Sequence, residues 1–147
     1  MSRFSIVKFS EWIVPLITSG AKVIPGRLPD MPNRVIGIRS SPGPGLAMDG
    51  IFDVVGITIE CRGGENNYAD AEFIAGEVDD IFLGKHSTAL SENFIIGEDA
   101  NSTVINGMGR VGGGPVSLTM PDSTSRWTFM CSYFAYVSTD VGQVFNG

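Results

Sequence analysis

The stretch VGGGPVSLTMPDSTSRWTFMCSYFAYV spans residues 111–137. Three glycines and a proline lead into a short apolar run at residues 116–120. A Pro-Asp turn follows over residues 121–125, and residues 126–138 then alternate as an aromatic-rich strand. That order predicts a β-hairpin. Gly113, Gly114 and Pro115 shape its entry. Asp122 and Arg126 bracket its turn and are expected to pair locally, with a subunit contact as the second choice. If exposed, such a pair contributes only about 0–1 kcal/mol, and its value would be geometric. One face of the second strand carries Trp127, Phe129, Cys131, Tyr133, Ala135 and Val137, which suits a core. The other carries Arg126, Thr128, Met130, Ser132, Phe134 and Tyr136. Met130, Phe134 and Tyr136 make that second face too apolar for open water, so a helix or a neighbouring chain must cover it. Left at a sheet edge, such a strand invites another chain; an internal strand is the alternative.

Working outward, residues 51–62 alternate Ile51, Val55, Ile57, Ile59 and Cys61 with Val54, Gly56, Thr58, Glu60 and Arg62, the period of a half-buried strand. Residues 34–40 and 22–28 predict two shorter strands around a Pro-Asp-Met-Pro-Asn turn. Between residues 40 and 51 lies SPGPGLAMDG, too rich in proline and glycine for a helix or a central strand. It is expected to project as the arm of a long hairpin, with Pro42, Pro44, Leu46 and Met48 as contact candidates. Residues 4–18 place Ile6, Phe9, Ile13, Leu16 and Ile17 on one helical stripe, which Pro15 should end early. Trp12 flanks that stripe.

Residues 68–83 predict a second amphipathic helix, capped by Asn66 or Asn67 and stopped by Gly84. Ala71, Ile74, Ala75, Val78, Ile81 and Phe82 share its apolar face, and Asp70, Glu72, Glu77, Asp79 and Asp80 fall on the solvated remainder. Phe73 lies about 100 degrees from the stripe and is a candidate subunit contact. Residues 94–96 and 103–111 add two further strand segments. The whole predicts one domain over residues 1–147: α+β, two helices packed on a mixed, mostly antiparallel β-sheet with a projecting β-hairpin arm.

At 147 residues with 43% hydrophobic and 18% charged side chains, the chain is long enough and apolar enough for a core of its own. No uninterrupted apolar run reaches the ~18 residues of a membrane span, and no secretory signal pattern is seen. Cys61 and Cys131 lie far apart in strands and are expected to be buried thiols. The net charge of −6 is unevenly spread. Residues 1–40 carry six bases against two acids, and the rest carries four bases against fourteen acids. A basic end and an acidic remainder suit head-to-tail pairing of like subunits; a solvated acidic helix face accounts for any single charge equally well. No basic stripe of the nucleic-acid-binding kind is present.

The chemistry-bearing residues do not converge. His86 is the only histidine and follows a helix end, which with two separated cysteines argues against a zinc set. Asp79 and Asp80 are adjacent and point to different sides of a helix, so they make no acid/base pair. Gly107, Gly109 and Gly112 have dinucleotide-loop spacing, but Pro115 and a strand follow where the fingerprint requires a helix. The expectation is a non-enzymatic protein without catalytic residue, metal or cofactor; a small hydrolase or nucleotide-binding enzyme is the rival from another class.

The order of these features resembles the tail terminator, or minor capsid, proteins of long-tailed bacteriophages. The resemblance rests on Gly113, Gly114, Pro115, Leu118, Asp122, Arg126, Trp127, Phe129 and Tyr133 in the hairpin. Residues 61–64 (Cys-Arg-Gly-Gly) and Tyr68-Ala-Asp-Ala71 carry it in the centre. It covers most of the chain by organisation, and the Pro/Gly-rich arm departs from it. The resemblance implies a structural virion protein that forms a six-membered ring at the head-proximal end of the tail tube. Such a ring ends tube polymerisation and offers a docking surface to the head connector. The implied partners are further copies of itself, the tail tube protein and a head-completion or connector protein. DNA is passing cargo, no membrane is involved, and assembly takes place in the host cytoplasm before the protein resides in the virion neck. A head-completion or stopper protein of the same neck is the alternative.

Overall fold

Ser5 opens the first helix, α1 (Ile6–Ile13), by accepting the Lys8 backbone N–H on its hydroxyl at 3.2 Å. A single 3-10 turn, Val14–Leu16, ends it at Pro15. Phe9 and Ile13 are buried, and Ile6, Trp12, Leu16 and Ile17 pack against the core from its margin. The computed structural model describes residues 5–41, 47–48, 52–83, 94–96 and 103–139.

Seven strands form one sheet: β1 (Lys22–Pro25), β2 (Val35–Ser41), β3 (Ala47–Met48), β4 (Phe52–Glu65), β5 (Phe94–Ile96), β6 (Thr103–Ser117) and β7 (Arg126–Thr139). Their order is β1-β2-β4-β7-β6-β5, with β3 also paired to β4. Every pairing is antiparallel except β1 with β2, which runs parallel and makes the sheet mixed. The turn between residues 25 and 35 is therefore a crossover and not a hairpin. β2 pairs antiparallel with β4, from Val35 opposite Arg62 to Ser41 opposite Gly56. Of the expected arm, Ala47 and Met48 pair with Asp53 and Phe52, whereas Pro42, Pro44 and Leu46 lie outside the described residues. His86 lies outside them too.

The second helix, α2 (Tyr68–Phe82), starts at Asn67, whose side chain accepts the Asp70 N–H at 3.0 Å. Its face of Ala71, Ile74, Ala75, Val78 and Phe82 meets Ile57, Ile59 and Cys61 of β4 and Phe129, Tyr133 and Ala135 of β7 in one cluster. α1 joins the same cluster, with the rings of Phe9 and Phe82 centred 5.6 Å apart. Both helices thus lie on one face of the sheet. α2 approaches β4 so closely that a Cβ on Gly63 would stand 2.5 Å from the Ala71 nitrogen.

The two strand segments expected before and after the glycines are one strand. β6 runs through them with a bulge: Val111 faces Ser132 and Val116 faces Met130, so residues 112–115 stand against Cys131 alone. Gly112 and Gly114 hold φ of +83° and +105°, which a side chain would strain. The bulge keeps the register of the core face on both sides of it.

Candidate interaction surface

The alternation of β7 sorts its side chains to two faces. Phe129, Tyr133, Ala135 and Val137 are buried under the helices. Met130, Ser132, Phe134 and Tyr136 point away from them, joined by Val54, Gly56 and Thr58 of β4 and by Gly109, Val111 and Val116 of β6. Among the described residues no helix lies on this outer face. Tyr136 is 46% exposed, Val111 54% and Val116 60%. The Phe134 ring covers Gly109, where a Cβ would come within 2.5 Å of the ring, and meets Tyr136 edge-on at 5.5 Å. Thr58 and Ser132 share a hydrogen bond at 3.4 Å. The strip from Val54 to Thr58 across to Val111 carries no charge; the Arg39–Glu60 ion pair closes one end. At the sheet margin β5 pairs only with Thr103–Ile105, so the outer edge of β6 beyond Ile105 has no strand partner among the described residues.

The other end of the sheet is locked by two buried arginines. Arg126, 4% exposed, donates from Nε to Asp122 Oδ2 at 2.9 Å and from Nη1 to Asn33 Oδ1 at 3.1 Å; Nη2 donates to Asp30 Oδ1 at 3.2 Å. Arg62 donates to the carbonyls of Asn33 at 3.0 Å and Pro32 at 2.6 Å. Together they pin the loop at residues 30–33 against the hairpin base. Burial, then the neighbouring Arg126 charge, pulls the Arg62 guanidinium below its ordinary value. Burial alone would raise the Asp122 carboxyl, but hydrogen bonds from the Arg126 and Thr124 backbone and side chains outweigh it and hold it at about 2. Asp122 and Arg126 are therefore a local pair that shapes the turn.

Asp79 corrects the expectation of a solvated helix face, since it is only 9% exposed. The Tyr133 hydroxyl donates to its Oδ1 at 2.8 Å, and Arg110 Nη1 donates to its Oδ2 at 2.7 Å. Burial, with Cys131 and Asp79 beside it, pushes the Tyr133 hydroxyl far above its ordinary value. Residue spacing could not find this cluster, because Arg110 reaches Asp79 only from inside the sheet. Cys61 and Cys131 are free, buried thiols on adjacent strands of the core face, both pushed up by burial.

A second surface lies on the helix layer. Leu16 and Thr18 on one side and Phe73, Glu77, Asp80 and Ile81 on the other line a groove of about 720 Å3. Glu77 builds its wall by accepting the Thr18 N–H at 3.0 Å, the Thr18 hydroxyl and the Ser19 N–H. Burial opposes ionisation there, and the Thr18 and Ser19 donors overcome it, so Glu77 sits below its ordinary value. Phe73 is 61% exposed on α2.

The candidates from sequence thus fall in separate places. Met130, Phe134 and Tyr136 share the outer sheet face; Phe73 stands alone on the helix layer; Met48 sits in β3; Gly113, Gly114 and Pro115 form the bulge. Val54, Val111 and Val116 complete the outer face and were not singled out, because their facing depends on the bulge and on cross-strand register. Among the described residues no three His, Cys, Asp or Glu side chains gather as a metal set, and no helix is long and apolar enough to cross a membrane. No protein-family model matches the chain, and no curated protein matches it.

Proposed function

We propose that this chain is a structural subunit of a bacteriophage neck. Copies of it close into a ring at the head-proximal end of the tail tube, end tube polymerisation and present a docking surface to the head connector. One observation carries the reading: both helices cover the same face of the sheet, and the opposite face carries an uncharged strip from Val54 to Val111, apolar but for Thr58 and Ser132. A surface of this composition gains by meeting another protein surface. The edge of β6 beyond Ile105, which has no strand partner among the described residues, would add backbone donors and acceptors that side-chain contacts do not supply. The order of hairpin, helix and long strand in the sequence supplies the family. In such a ring DNA passes as cargo, and acidic residues toward the channel would keep phosphates from sticking.

Native mass measurement of the full chain at micromolar concentration, with and without tail tubes, tests this. A closed oligomer that caps tubes is expected; a strict monomer that leaves tubes growing overturns it. Cross-linking in virions separates the two neck roles. A terminator links to the tube protein, whereas links to the connector alone would make the chain a stopper.

A further inference from the structure

The groove on α2 has a floor of small side chains and a lining of acids. At about 100° per residue, Ala69, Phe73, Gly76 and Asp80 run in one stripe, with Glu72 on one flank and Glu77 on the other. A glycine inside a helix destabilises it relative to alanine, because glycine loses more conformational freedom on folding. Gly76 therefore needs a reason. It does not hold a positive φ, and a Cβ there would meet nothing within 4 Å beyond its own stretch of helix. Neither backbone conformation nor packing among the described residues calls for glycine at this position. The space it leaves opens into the groove. Phe73 stands beside that space, 61% exposed, and Leu16 and Ile81 complete the large apolar lining.

The charge of the groove is one-sided. Glu72, Glu77 and Asp80 line it, and no lysine or arginine does. The donors to Glu77, from Thr18 and Ser19, are uncharged, so they orient the carboxylate without cancelling it. α2 has no basic residue in its last turn, so its carbonyl end adds to the same sign. The chain has little to offer such a surface from a second copy. Arg34, Arg39 and Arg110 are paired with Asp70, Glu60 and Asp79, and Arg62 and Arg126 are buried. Exposed Lys8 shares α1 with exposed Glu11, and a net charge of −6 sets copies against one another. We propose that the α2 groove docks a basic amphipathic helix of a different protein. The apolar side of that helix covers Phe73 across Ala69 and Gly76, where small side chains let two helix axes come close. Lysine or arginine on its flanks meets Glu72, Glu77 and Asp80. The mode is a helix seated in a groove, with an aromatic anchor and charges that select the partner. The contact needs one folded subunit and does not rest on the ring reading.

The test uses the full chain and two synthetic peptides of α2's own length, 15 residues. One carries alanine and leucine along one face and lysine on both flanks; its twin has glutamate at every lysine. Titration calorimetry follows binding, and thermal unfolding follows the fold. The lysine peptide is expected to bind with an affinity that falls as salt rises, and the glutamate peptide at least about tenfold more weakly. Gly76→Gln fills the floor and is expected to weaken binding at least about tenfold. It should melt no lower than the parent, since glutamine is the better helix former and its Cβ has open space. Phe73→Ser is expected to cost about tenfold, as loss of a central aromatic anchor does. Glu72→Lys, at an exposed position, is expected to cost about three- to tenfold and stays decisive if Phe73→Ser folds poorly. A lysine peptide that does not bind overturns the proposal. Binding indifferent to Gly76→Gln and Glu72→Lys also overturns it, as general attraction to an acidic surface. A lower melting temperature for Gly76→Gln means that the subunit itself needs the glycine, and removes the case for an occupant. Loss of oligomer mass in Gly76→Gln makes the occupant a second copy and overturns the proposal while leaving the ring reading standing.

Discussion

Replacing Gly63 by alanine separates backbone packing from simple strand propensity. Gly63 is buried in β4 beneath the first turn of α2, and an added Cβ would lie 2.5 Å from the Ala71 nitrogen, 3.0 Å from its Cα and 3.1 Å from its Cβ. Two of these atoms are backbone and cannot rotate away. The helix end is also anchored: Arg34 clamps Asp70 through two bonds of 2.9 and 3.0 Å, and Asp70 accepts the Gly64 N–H at 2.9 Å. Since tight contact ends near 3.4 Å, α2 must lift by roughly 0.9 Å, loosening Ile74, Ala75 and Val78 over the sheet. Overpacking costs about 1–3 kcal/mol, and an immovable backbone neighbour puts this case at the upper end. Restricting the unfolded chain returns about 0.4–1 kcal/mol, leaving a net loss of about 2 kcal/mol. For a chain of this size that is roughly 4–8 °C in melting temperature. Gly64→Ala is the control, because its Cβ would meet only the Asp70 carboxylate at an ordinary 3.7 Å; it is expected to melt within about 2 °C of the parent. Urea and thermal unfolding of the three proteins decide the matter. Equal melting of Gly63→Ala and the parent, or equal losses at the two glycines, would refute the reasoning.

Arg126→Lys keeps the charge but cannot span Asp122, Asp30 and Asn33 together, and it should cost about 2–4 kcal/mol, seen as a lower urea midpoint at unchanged slope. Tyr133→Phe removes the 2.8 Å donor to buried Asp79 while Arg110 remains, so a smaller loss of about 1–2 kcal/mol is expected by the same assay. Asp122, Asp70 and Glu77 are all held below their ordinary carboxyl values. The unfolded chain therefore binds protons before the folded one does, and stability is full above about pH 4–5 and falls toward the Asp122 value of about 2. Asp122→Asn should flatten that acid limb in a pH series of unfolding midpoints, and an unchanged limb would assign the acid sensitivity elsewhere.

The outer sheet face and the α2 groove lie on opposite sides of the sheet. The strip from Val54 to Val111 carries no charge, and the β6 edge beyond Ile105 has no strand partner among the described residues, whereas acidic side chains line the groove.

Local chemistry along the chain was enough to determine both helices and the two longest alternating strands. The period-two alternation of residues 52–62 and 126–138, the 3.6-residue stripe from Ala71 to Phe82, the Asn67 cap and the Pro15 stop each act within a few residues. The outward position of Phe73 follows from the same helical geometry. Tertiary structure alone decided the rest. β1 runs parallel to β2, and the loop at residues 30–33 between them is gripped by Arg62 and Arg126 from distant strands. Asp79 is buried because Arg110 and Tyr133, 31 and 54 residues away, converge on it. Which face of β7 stays uncovered depends on where both helices cross the sheet. Alternation determines that a strand has two faces, but the choice between them is made by long-range packing, to which short-range periodicity is blind.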